Sequence, residues 1–112
     1  MTAMHINTEQ LAELKEVLED EFHVLINTYL QDAILRQQII GQAVQSADYE
    51  AARLAAHSLK GASANLGASL LADICERLEH DCRAGRYQNC GMLNQQIQDE
   101  FMIVKRELLS MV

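Results

Sequence analysis

Residues 57–67 read HSLKGASANLG, and their spacing sets up a reaction site on one side of a helix. Side chains three and four positions apart are neighbours on a helix, so Lys60 and Gly61 both lie beside His57. Imidazoles in water are largely neutral at pH 7 and offer a nucleophilic ring nitrogen. Lys60 would place an ammonium against any anion formed on that ring. Gly61 takes away the side chain that would crowd it. A phosphoryl group, anionic and transferred in line, uses all of these features. His–Lys pairs on helix surfaces are common, and alone this one would mean little. The glycine separates the two cases: facing solvent, it weakens the helix by about 1 kcal/mol relative to alanine and packs against nothing.

The helix wheel decides which way these residues face. Ala52, Ala55, Leu59, Ala62 and Leu66 share one small apolar face, with Ala56 and Ser63 at its edge. His57 points the opposite way, ringed by Arg53, Leu54, Lys60, Gly61 and Ala64. The predicted helix is capped by Asp48, runs to Leu66 and stops at Gly67 in a left-handed conformation. Before it, a first helix starts near Thr8, with Asn7 or Thr8 as cap, and carries Leu11, Leu14 and Leu18. A second, from about Asp20 to Gln45, aligns Phe22, Leu25, Ile26, Tyr29, Ala33, Ile40 and Val44. Beyond Gly67, a fourth helix over Ser69 to Ala84 presents Leu71, Ile74, Cys75, Leu78 and Cys82, and Gly85 ends it. A fifth, from about Asn89, aligns Leu93, Ile97, Phe101, Val104 and Leu108. Amphipathic helices on short connections bury their stripes against one another. The expected fold is all-α, an antiparallel four-helix bundle with a short extra N-terminal helix across one end or edge. Residues 1–112 read as one domain, with 1–7 a flexible tail.

Composition agrees and narrows the function. The 112 residues include no proline, and the hydrophobic share is 49%. A net charge of -7 repels phosphate backbones, which argues against nucleic-acid binding. No apolar run approaches the ~20 residues of a membrane span, and the opening MTAMHINTEQLAEL has no signal-peptide pattern. The 3 cysteines, Cys75, Cys82 and Cys90, suit free thiols in a reducing cytoplasm. A metal-binding bundle built on Cys75, His80 and Cys82 is disfavoured: His80 falls off the cysteines' face and no fourth ligand stands nearby. His5, His23, Tyr49 and Tyr87 show no constellation of their own.

His57, Leu59, Lys60, Gly61, Ser63, Leu66 and Gly67, followed by LLADICERLE, closely resemble the signature of the histidine-containing phosphotransfer (HPt) domain of bacterial phosphorelays. The resemblance covers nearly the whole chain. It implies a helical bundle whose exposed histidine accepts a phosphoryl group from a receiver-domain aspartate and passes it to another receiver. By that resemblance His57 is phosphorylated at Nε2 and Lys60 sits beside the phosphoryl group. Glu79 matches a position holding a carboxylate or amide against the other ring nitrogen. Glu79 borders the fourth helix's apolar stripe, within reach of His57, where a carboxylate accepting Nδ1–H would fix the tautomer. Against this stands a solvated Glu79 paired with Arg83 at i+4.

The resemblance also implies that the partner receiver supplies Mg²⁺, and that the chain binds no cofactor of its own. No glycine-rich nucleotide loop is present, so autophosphorylation from ATP is not expected. The expected partners are response-regulator receiver domains and a hybrid sensor kinase, met by a free-standing, monomeric cytoplasmic carrier. Leu35 and Ile39, turned from the second helix's stripe, would join Leu54, Arg53 and Ala64 in a docking patch. Equally, the first helix could cover Leu35 and Ile39. The competing function is a non-catalytic helical adaptor that binds a partner through the His57 face.

Overall fold

A computed structural model describes residues 5–112. Among them are five α-helices and no strand: α1 (Thr8–Leu18), α2 (Phe22–Gln45), α3 (Tyr49–Asn65), α4 (Ser69–Ala84) and α5 (Cys90–Leu109). One 3₁₀ turn, Glu19–Glu21, joins α1 to α2, and another, Tyr87–Asn89, precedes α5.

Local chemistry starts and stops these helices. The Asn7 carboxamide oxygen accepts from the Gln10 amide at 3.0 Å to open α1, and the Asp48 carboxylate accepts from the Ala51 amide at 3.2 Å to open α3. Gly85 closes α4 in the left-handed region at φ 78. Gly67, at φ 75, turns the chain from α3 into α4, and a Cβ there would stand 2.7 Å from the Asn7 Cβ. Its missing side chain thus serves two ends, the α3–α4 turn and the seating of α1's cap.

Helices α2, α3, α4 and α5 form a closed ring in which each packs against the next and α5 returns to α2. Phe22, Ile26, Ile40, Leu59, Leu71, Leu78, Ile97, Val104 and Leu108 are fully buried at its centre. Between α2 and α3, the buried Tyr29 hydroxyl and Ser63 hydroxyl bond at 2.8 Å and set the register of that pair. Ser63 therefore belongs inside, at the edge of the face the wheel defined.

The fold departs from expectation at two places. Helix α2 begins at Phe22 rather than Asp20, because Glu19 takes a left-handed φ of 50 and a 3₁₀ turn intervenes. The tail expected over 1–7 is corrected for residues 5–7, while 1–4 lie outside the described residues. Ile6 is buried, Asn7 caps α1, and His5 Nδ1 meets a Glu100 carboxylate oxygen at 2.6 Å. Burying an isoleucine is worth roughly 2 kcal/mol, enough to hold such a segment down.

Helix α1 lies across one end of the bundle. Its Leu11 is fully buried, Gln10 Nε2 donates to the Asn65 carbonyl at 3.1 Å, and Lys15 Nζ donates to the Met111 carbonyl at 2.6 Å. These are the ends of α3 and α5. Leu35, midway along α2, is left 52% exposed.

Candidate functional site

Helix α3 divides its residues between two jobs. Ala56 and Leu59 are fully buried and clamp the helix to the core, while His57 between them turns outward with 62% of its side chain exposed. Gly61 faces outward too, and a Cβ built there meets nothing within 4 Å. Space above the ring is open, as the wheel required.

Helix α4 supplies the other half of the site. Glu79, one position after the fully buried Leu78, is itself only 5% exposed. Its Oε2 lies 2.8 Å from His57 Nδ1, and its Oε1 accepts from Lys60 Nζ at 2.8 Å. Arg83, one turn further along α4, donates to Oε2 at 3.3 Å. The orienting contact and the i,i+4 pair, set against each other on sequence grounds, coexist on one carboxylate.

The electrostatics fix which atom does what. Burial pushes the Glu79 carboxyl up, but hydrogen bonds from Lys60 and His57 outweigh it and hold the group below its ordinary range. The same bond to Glu79 raises Lys60 above the ordinary lysine value. Glu79 is therefore an anion at neutral pH and can only accept. His57 Nδ1 must then carry the hydrogen of that bond, and the lone pair of the neutral ring resides on Nε2. A nucleophilic nitrogen on an exposed ring, with an ammonium and open space beside it, is the chemical content of the site.

The expected docking residues separate. The Tyr29–Ser63 bond places Leu35 level with His57 along the α2–α3 pair, and Leu35 and Leu54 are 52% and 53% exposed. Ala64 is exposed as well. Ile39 is corrected: it is half-buried and packs on the core, since α2 touches both α3 and α5 and buries more than one stripe. Arg53 is half-buried, its Nε donating to Glu50 at 3.0 Å.

Other contacts were not visible in sequence. Tyr49 and Tyr87 stack with ring centroids 3.9 Å apart, pinning the α4–α5 connection to the start of α3. Cys82 and Cys90 place their sulfurs 3.7 Å apart. Cys75 and Cys82 are buried and their thiols are pushed up to about 12 by burial, so both stay protonated at neutral pH. His80 stands on the exposed side of α4.

With this geometry in place, comparison with known proteins gives one answer. The profile of the Hpt domain matches residues 24–106. This chain belongs to the Hpt domain family. A crystal structure of histidine-containing phosphotransfer protein B (HptB) from Pseudomonas aeruginosa PAO1 is 40% identical and superposes with a TM-score of 0.91, over 97% of this chain and 95% of that one. Histidine-containing phosphotransfer protein ZmHP2 from maize, 20% identical, shares the fold with a TM-score of 0.81 over 92% of this chain and 83% of its own. Histidine-containing phosphotransfer protein 2 of Arabidopsis thaliana is 24% identical over 110 residues, 92% of this chain and 70% of that protein. This Hpt protein is a phosphotransfer intermediate of a two-component phosphorelay. Proteins of its kind act with receiver domains and kinases.

Proposed function

We propose that His57 is the residue that carries the phosphoryl group. Its Nε2 attacks the phosphorus of a receiver's aspartyl phosphate. The N–P bond forms as the P–O bond breaks, and the aspartate oxygen leaves with the electron pair. The Nδ1 hydrogen stays in its bond to Glu79, whose charge offsets the positive charge growing on the ring. Lys60 steadies the phosphoryl oxygens, and Gly61 leaves room for the partner to bring its aspartate close. Transfer to the next receiver runs the same steps backwards. The single observation that carries this reading is the 2.8 Å contact of Glu79 with Nδ1 of an otherwise exposed ring.

Leu35 and Leu54, with Ala64 and the aliphatic stem of Arg53, supply an apolar rim against which a receiver docks. Any Mg²⁺ is held by the partner, since the carboxylate next to His57 already takes three donors. ATP has no glycine-rich cradle here, so the chain carries the group and does not take it from nucleotide. We read the protein as a cytoplasmic carrier that works as a monomer through its one reactive histidine face. Three free cysteines suit a reducing compartment, and no helix among the described residues is long and apolar enough to cross a membrane.

Incubation with a phosphorylated receiver and Mg²⁺ tests the reading. Label that is acid-labile and base-stable should appear on the wild type and not on His57→Gln. Label retained by His57→Gln would move the site elsewhere. Label from ATP alone would contradict the carrier role.

A further inference from the structure

Glu79 is an unusual partner for an i,i+4 arginine. Such pairs normally sit in water on both sides and contribute little. Here the carboxylate side chain is 6% exposed, and Arg83, 62% exposed, binds the same oxygen that accepts from His57. Both ends of the Glu79–Arg83 contact lie on α4, so it does not tie α4 to α3 and the fold has little need of it. The cross-helix ties are Lys60 to Oε1 and His57 Nδ1 to Oε2. Lys60 is also the cation one turn from His57 on its own helix, beside the open space at Gly61. Once a phosphoryl group stands on Nε2, its oxygens compete with Oε1 for the Lys60 ammonium, and any donor turned to the phosphoryl group is lost to Glu79. A buried carboxylate that loses its cation becomes costly. Arg53 is paired with Glu50 and makes no hydrogen bond to Glu79. Arg83 already touches Oε2, and a guanidinium's planar fork can span both carboxylate oxygens.

We propose that Arg83 is a positioning residue that keeps Glu79 charged and aimed at His57 Nδ1 while Lys60 turns to the phosphoryl group. The proposal rests on the carrier reading above and adds a third side chain to it. Arg83 acts through Glu79 and need not touch the phosphoryl oxygens.

Lys60→Gln imitates the departure of Lys60, and nitrogen NMR of the imidazole in the full, unphosphorylated chain reports the tautomer directly. In Lys60→Gln the Nδ1–H form should persist, because Arg83 still holds Glu79. In Lys60→Gln with Arg83→Gln it should give way to a mixture, and Arg83→Lys in the same background should restore much of it. Equal Nδ1–H populations with and without Arg83 would overturn the proposal. Should the double variant fail to fold, Arg83→Gln alone still decides. Its phosphoryl acceptance from a phosphorylated receiver should fall by about two- to fivefold, the range of an exposed charged contact, and recover in Arg83→Lys. An unchanged rate counts against the proposal. A wild type that accepts no phosphoryl group instead overturns the carrier reading, while the imidazole spectra still report what Arg83 does to Glu79.

Discussion

Gly61 should cost stability and serve transfer, and one substitution separates the two. Its backbone is ordinary helix: among the glycines, positive φ occurs at Gly67 and Gly85. A Cβ at position 61 meets nothing within 4 Å, so Gly61→Ala adds no clash. It should therefore gain the full helix-propensity difference, about 1 kcal/mol. For a domain of this size that raises Tm by roughly 4 °C. Gly61→Leu should gain nearly as much, since leucine ranks just below alanine in helices. Phosphotransfer should move the other way. A leucine one turn from His57 fills the space a receiver must enter, and misplacing the reacting phosphorus by about 1 Å costs on the order of a hundredfold. Gly91→Ala is the control, because its Cβ is equally unobstructed but lies on α5, across the bundle from α3. It should leave transfer unchanged. Thermal unfolding and a timed transfer assay on the same samples read both effects. A Gly61→Leu protein that is stabilised and transfers at the wild-type rate would refute the clearance argument. Destabilisation by Gly61→Ala would refute the structural premise.

Other substitutions test other parts of the argument. Glu79→Gln leaves Lys60 and Arg83 without an anion and should cost about 1–2 kcal/mol at pH 7. Because Glu79 is held below its ordinary range in the folded chain, its contribution is present above the unfolded pKa and disappears as pH falls through the folded one. Urea unfolding should thus show the gap between wild type and Glu79→Gln at pH 7 and its narrowing as the pH falls below the ordinary carboxylate range; a gap that stays constant into acid contradicts the charge argument. Tyr29→Phe strands the fully buried Ser63 hydroxyl and should destabilise by about 1–2 kcal/mol, and adding Ser63→Ala should recover part of the loss. Leu35→Ala and Leu54→Ala should melt within about 0.5 kcal/mol of wild type yet slow transfer. Ile39→Ala, which loses core packing, should show the larger loss in its unfolding curve.

What could be read in advance follows the range over which each cause acts. The helices α3 and α4 are legible because the Asp48 cap and the glycine stops at Gly67 and Gly85 are local, and because each presents a single stripe. His57 faces outward for the same reason: the alanines and leucines around it leave the ring no other side. Helix α2 is less legible, since it packs against both α3 and α5. Leu30 and Ala43 are buried outside the expected stripe, and Ile39 is half-buried. Contacts that depend on closure of the whole chain left no trace in spacing. His5 and Glu100 are 95 positions apart, and Tyr49 finds Tyr87 only after α4 has folded back on α3.

Glu79 lies between these cases, and it shows why the site needs the bundle rather than one helix. Its position at the border of a stripe was visible, but carboxylates are seldom buried unless paired. Nothing on α4 alone would draw this one inward. Pairing α4 with α3 brings Lys60 and His57 over it, and those donors make burial tolerable. Burial in turn holds the carboxylate in one place and keeps competing water away from its bond to Nδ1. The packing that stabilises the bundle and the orientation that prepares His57 are consequences of the same contact between two helices.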